Sequence, residues 1–462
     1  MRTSEMKYLS ALAGALLVLG VVASPSGADP LREGTSALIS RYPDGSQGEG
    51  GYPSVSADGR YVAFESWSAL LPEDTDSDTN IFTDNNSDIY RYDRLTGEIL
   101  LVSVNYPSVS FASACNYRPS ISGDGSKVAY RSGALFGGSE YGDRACYAGH
   151  VVVRDIPSTT SKAIPGTYGG WTTQGMKMSR DARYVAVIRS DGFDDHFAAV
   201  IDVASGSLRW ESPVVCVECL TAIMDDSISI SGNGRFVAYD ARAGQYAGDP
   251  IVLWGTYLVD RDTNNNGVFD DSGNSLTNVA ILPSGAQVRW SRSNAVSDDG
   301  KLVAFISANT NTMQDNTFKY YLRNLTVGTT EILSQSSIGV PGAGADPRFN
   351  WPVGISPSIS ADGRYVAFST MDPYLAPGDT KPTLDVFVRD RLTGKTHLAS
   401  ALPGGDQDYL DAVAPALSAD GNYLAFDTQL APYQIHNNYF RSGYLREVWT
   451  PCSIACLPNP SL

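Results

Sequence analysis

The chain has 462 residues and a formal net charge of −16, although only 18% of its residues are charged. An acidic surface of this kind repels nucleic acid and carries no basic stripe for phosphates, which leaves divalent cations, basic proteins and neutral sugars as partners. A chain this long suggests two or three domains unless it repeats, and this one repeats.

Residues 1–28 read as an export signal. Arg2 and Lys7 give a positive start, Ala11 to Ala23 an apolar run, and Val21-Val22-Ala23 or Ser26-Gly27-Ala28 a small-residue cleavage site. The other reading is an uncleaved anchor, but the run is shorter than a spanning helix. The mature protein is therefore expected to be secreted, extracellular or periplasmic, with no integral membrane segment. Outside the cytosol its six cysteines are expected to be structural.

From Ser54 the chain writes SVSADGRYVAF, and variants of that line begin at Ser120, Met178, Ser229, Ala295, Ser358 and Ala416. Each alternates polar and apolar residues, turns at Asp-Gly or an equivalent, and resumes an apolar run. That is the pattern of a β-hairpin, because Asp-Gly and Asn-Gly accept the positive φ of a tight turn. A third strand follows each hairpin, clearest as DIYRYDRLTGE from Asp88 and DVFVRDRLTGK from Asp385. A fourth follows at once, as in ILLVSV from Ile99 and THLAS from Thr396. Four antiparallel strands repeated seven times predict an all-β, seven-bladed β-propeller over residues 35–450, with a tail at 451–462.

The unit resembles the WD-like repeat of TolB-type propellers, in which an S-x-S-x-D-G-x-x-[IV]-A-[FY] hairpin precedes a [IV]-[FY]-V-x-D-x-x-T-G strand. The resemblance covers nearly all of the mature chain and implies the fold. TolB itself has six blades and a separate α/β domain, whereas seven hairpins stand here with no helical domain ahead of them. The resemblance also implies two activities for comparison: an envelope assembly factor, as TolB is for peptidoglycan-associated lipoprotein, and a polysaccharide lyase like the propeller-fold oligogalacturonate lyases.

At the end of the chain the last hairpin is followed by a third strand expected at Tyr444 to Trp449 and by no fourth. Ala37 to Arg41 (ALISR) looks like the missing strand, so the N-terminal strand is expected to complete the last blade and leave no open edge. The hairpin turns and the Thr-Gly turns share one rim. Long connections, including Glu73 to Asp88, Met371 to Asp379 and Ala431 to Asn438, emerge at the other, where binding residues concentrate.

On that loop-rich rim Trp67, Trp171, Trp254 and Trp351 stand among carboxylates such as Asp194 and Asp195, a combination suited to a carbohydrate or protein ligand. Rings capping the blade cores would look the same. From Asp262 the chain reads DTNNNGVFDD, placing oxygens at Asp262, Asn264, Asn266 and Asp270 around Gly267 as in the first half of an EF-hand loop. Gly273 stands where the bidentate glutamate belongs. Calcium and a solvated Asn-Gly turn are the two readings of this loop. Asp74, Asp76 and Asp78 alternate similarly without a glycine. Cys115 and Cys146 flank one hairpin and are expected to pair, while Cys216 with Cys219 and Cys452 with Cys456 are close enough to bridge locally. A redox Cys-x-x-Cys is the alternative for the second pair, without the βαβ surroundings of that motif. Four scattered histidines and no G-x-S-x-G give little material for a metal or serine-hydrolase centre. These observations favour a non-catalytic binding or scaffold module, with a lyase or glycosidase as the alternative.

Overall fold

The computed structural model describes residues 36–74, 87–104, 116–132, 150–164, 175–190, 196–212, 228–243, 253–288, 291–308, 318–342, 355–372, 375–377, 379, 383–400, 411–435 and 438–448. Within them lie seven four-stranded antiparallel sheets, the blades of a propeller. Blade 1 runs Gly51–Val55, Tyr61–Ser66, Asp88–Asp93 and Ile99–Leu101, and blade 6 runs Ser358–Ile359, Tyr365–Thr370, Asp385–Asp390 and Lys395–Leu398. The strands of these blades stand where the repeat places them.

The repeat's consensus residues each have a physical task. In the turn of blade 1, Ser56 Oγ donates to Asp58 Oδ1 and accepts from the amide of Tyr61, while Asp58 Oδ1 accepts from the amide of Arg60. The pattern recurs in every blade, for example at Ser360, Asp362 and Tyr365. These bonds satisfy amides that the turn between the two strands leaves unpaired. The aromatic that ends the hairpin and the aromatic of the third strand are register partners: Phe64 faces Tyr90, Phe305 faces Tyr321, Phe368 faces Phe387 and Phe426 faces Tyr444. Their rings stack at 5.7 to 6.0 Å between centroids, and such pairs stabilise a sheet beyond the area they bury.

The turn glycines also seat one blade on the next. A Cβ on Gly125 would lie 2.1 Å from the Tyr61 ring of blade 1, and one on Gly421 2.2 Å from the Tyr365 ring of blade 6. Gly59 of blade 1 meets Tyr423 of blade 7 in the same way, so this packing passes across the join. Blade 3 departs from the rule with Ala182, held at φ 57°. The preceding blade has Lys127 where the others carry a ring or leucine, which removes the steric reason for glycine but not the backbone one.

Closure is by the N-terminal strand. Ser36–Leu38 pairs antiparallel with Asn438–Glu447, with Ser36 facing Arg446 and Leu38 facing Tyr444. The strand begins one residue before the expected Ala37 to Arg41 and ends at Leu38; Arg41 instead forms an isolated bridge to Gln47. The last blade's second strand, Tyr423–Ile435, is also longer than expected. It takes up Ala431 to Ile435, which sequence reasoning assigned to a rim loop, and its pairing resumes after a register shift between Gln429 and Gln434.

Candidate functional site: the central channel

The innermost strands of all seven blades surround a cavity of about 200 Å3 on the propeller axis. The repeat's first serine faces the neighbouring blade here. Ser54 Oγ accepts from the amide of Ile121, Ser120 Oγ from Met178 and Ser358 Oγ from Leu417, at 2.9 to 3.1 Å. At the hairpin-turn end the blades are tied by turn-to-turn bonds such as Ala57 N to Gly123 O and Gly123 N to Arg180 O, both 2.8 Å. Arg180 of blade 3 reaches Asp298 of blade 5, whose Oδ1 also accepts from Gly232 N at 2.6 Å.

The loop-rich end is built differently. In several blades the inner strand bulges, and the bulged residue is a non-glycine in the left-handed region: Tyr52 (φ 51°), Arg118 (φ 58°), Ser293 (φ 54°) and Ala414 (φ 54°). In three of these a buried carboxylate from the preceding blade accepts the amide of that residue. Asp427 Oδ2 takes Tyr52 N at 3.0 Å, Glu65 Oε2 takes Arg118 N at 2.8 Å, and Asp240 Oδ2 takes Ser293 N at 2.6 Å. All three acids follow the hairpin aromatic in sequence and are 0%, 2% and 7% exposed in that order. They act as staples that hold strained backbone where the blades meet.

Around the first staple, two guanidinium groups lie over the Tyr52 ring, Arg118 at 3.5 Å and Arg441 at 5.0 Å from its centre. Arg441 Nη1 lies 3.6 Å from Asp427 Oδ2. Asp427 Oδ1 and Arg441 Nη1 are buried without a hydrogen-bond partner among the described residues. Burial pushes the Asp427 carboxyl up, opposed chiefly by Arg441. At the third staple, burial raises Asp240 to about 7 against the donors Thr256, Asn294 and Ser293, and lowers nearby Arg292 to about 10.

The residues singled out from sequence fall elsewhere. Trp67 is 38% exposed, just past the second strand of blade 1. The backbone of Trp254 pairs with Arg242 in blade 4. Trp171, Trp351, Asp194, Asp195, Asp76, Asp78 and all six cysteines (Cys115, Cys146, Cys216, Cys219, Cys452 and Cys456) lie outside the described residues, as does the export segment. Asp74 is buried and bonded to the Tyr90 hydroxyl, so it serves the blade core. In the Asp262 loop, Asp262 accepts from the amides of Asn266 and Gly267, and Asn264 accepts from Asn266 N. Asn266 Oδ1 accepts from Val268 N, and Asp270 is bidentate to Arg261. Protein donors thus account for the loop's shape, and a cation would have to take Asp270 from Arg261. Among the described residues no three acidic, histidine or cysteine side chains gather as a metal site.

Solved structures similar to this chain include other propellers. TolB from Acinetobacter baumannii is 15% identical, with 85% of this chain and 83% of that one aligned at a TM-score of 0.40. Oligogalacturonate lyase from Vibrio parahaemolyticus is 12% identical over 89% and 93% of the chains, with a TM-score of 0.49. A prolyl endopeptidase is 11% identical at a TM-score of 0.50; 89% of this chain aligns and spans about half (51%) of that protein's length. The likeness is one of fold. No family model and no curated protein matches the sequence. The seven-bladed propeller expected from the repeat is the architecture of the structure, and function has to be argued from the channel.

The staple acids, Tyr52, Arg118 and Arg441 were missed from sequence. A signal was present: the residue after the hairpin aromatic reads Glu65, Arg131, Asp240, Ile306, Ser369 and Asp427 while its neighbours hardly change. In a repeat protein, such a position is where individual blades differ in task.

Proposed function

We propose that the protein is a non-catalytic binding propeller, exported from the cytosol, that takes a glycan or protein segment at the loop-rich end of its central channel. The observation that carries this reading is that the hydroxyl and carboxylate side chains around the channel are spent on structure. Ser54, Ser120 and Ser358 and the staple carboxylates behind the wall are each bonded to a backbone amide of the adjacent blade, and Ser229 donates to the Asn294 side chain, which suits a rigid, preformed receptor more than a proton-transfer site. Among the described residues no helix is long and apolar enough to cross a membrane.

The test is a glycan array with the purified mature protein beside Ala416→Trp, which fills the channel from blade 7. The expected result is binding by the wild type, recovery of the bound glycan unchanged, and loss of binding in a variant that melts at the wild-type temperature. New reducing ends or unsaturated products would show an enzyme. Binding that survives the filled channel would place the site elsewhere.

A further inference from the structure

The cavity carries a charge opposite to that of the protein around it. In a chain of net charge −16, the described residues lining the channel include Arg118, Lys177 and Arg180 and no aspartate or glutamate. The acids nearest the mouth lie behind the wall: Glu65 and Asp427 are buried and turned to the amides of Arg118 and Tyr52. Arg441 balances Asp427, and Arg180 is paired with Asp298. Lys177 remains. It occupies the position that is serine in four blades (Ser54, Ser120, Ser229 and Ser358), and its side chain is exposed in the channel with no ion pair among the described residues. A lone ammonium among serine, proline and methionine walls is an attractive counter-charge for an anion, because low-dielectric walls strengthen the pairing.

Taking the channel as the binding site, we propose that it selects a small organic anion, with the acid group held by Lys177. The volume of about 200 Å3 is below the roughly 300–1,000 Å3 of drug-sized sites and suits a single-ring molecule or a chain end. Carboxylate and phosphate share the required chemistry.

Calorimetric titration with glucuronate, glucose 6-phosphate and glucose, which share a pyranose body, tests this. Lys177→Ser installs the residue most common among the other blades and so keeps the fold. The wild type is expected to bind at least one of the two anions about tenfold or more tighter than glucose, as one charge-assisted hydrogen bond supplies, and progressively less well as ionic strength rises. The tighter anion identifies the source of the charge. Lys177→Ser is expected to lose most of that preference. Three results would overturn the inference: no anion binding by the wild type, glucose bound as tightly as the anions, or an anion affinity unchanged in Lys177→Ser. Equal binding of glucose and anions that is abolished by Ala416→Trp would sink the charge selectivity alone and leave the channel as the site. Anion binding that persists in Ala416→Trp would overturn both.

Discussion

Asp240 ties the propeller's stability to pH. Its carboxyl is 7% exposed and raised by burial to about 7, from an ordinary value of 3.8. A folded-state value above the unfolded one means that the folded protein binds the proton more tightly. The stabilisation is then complete below about pH 3.8 and is lost as pH rises through 7. The surroundings tolerate the neutral form. A protonated Asp240 can donate to Thr256 Oγ1 (2.7 Å), which can donate onward to Ser291 Oγ (3.0 Å), while Oδ2 keeps the Ser293 amide. Between pH 5 and pH 7 lie two units at about 1.36 kcal/mol each, so roughly 2.7 kcal/mol is lost by pH 8. At about 2.1 cal/mol/K of unfolding entropy per residue, a chain of this size should melt about 3 °C lower for that loss. Asp240→Asn mimics the neutral acid. Thermal melts by circular dichroism from pH 5 to pH 8 should show the variant gaining about 3 °C on the wild type across the range. Glu49 is raised to about 7 by burial as well, so the wild-type slope is steeper than Asp240 alone supplies, and the difference between the two profiles is the informative quantity. A difference that stays flat from pH 5 to pH 8 would refute the assignment.

Ala182→Gly should stabilise the protein by about 0.5–1 kcal/mol, because the left-handed backbone costs alanine roughly 1–2 kcal/mol and glycine's extra unfolded-state entropy returns part of it; urea unfolding measures the change. Removing the mature chain through Arg41 takes away the closing strand and the fully buried Ile39, and should lower stability by at least about 3 kcal/mol; an unchanged melting temperature would contradict the closure. For the Asp262 loop, calorimetry decides between the two readings: a heat of calcium binding in the wild type that is absent from Asp262→Ala with Asn264→Ala would support the cation, and no heat in either would leave a solvated turn. Non-reducing peptide mapping is expected to join Cys115 to Cys146, for a loop of about thirty residues worth roughly 3–4 kcal/mol in the chain-entropy model, and recovery of either as a free thiol would remove that pairing.

The blades were legible because their determinants are local. Ser56, Asp58 and Gly59 fix a turn within four residues, and the alternation on either side fixes which face is buried. The Phe64 and Tyr90 pairing follows once hairpin and third strand are aligned. The channel mouth was not legible because its contacts are distant: Asp427 and Tyr52 are 375 positions apart and meet only when the ring closes. Asp74 misled for a related reason. Acid alternation resembles a cation loop, but a buried tyrosine hydroxyl one strand away decided its orientation. The bulges before Pro53, Pro119 and Pro415 were also hidden, since the residue before a proline is usually extended and here sits in the left-handed region.

The join between the two ends of the chain also sets an order of events in folding. Gly443 donates to Ser40 Oγ across 403 positions, and Ile39 is enclosed only when that contact forms. Closing so long a loop costs about 5 kcal/mol of chain entropy, although the cost grows only logarithmically with length. Six blades can be assembled as they emerge from synthesis or export, each from neighbours in sequence, but the seventh must wait for the last strand while the segment around Ser40 stays unpaired. A chain that folds this way should reach its final state late and leave it slowly, because the strand that closes last is held at both edges by segments already in place.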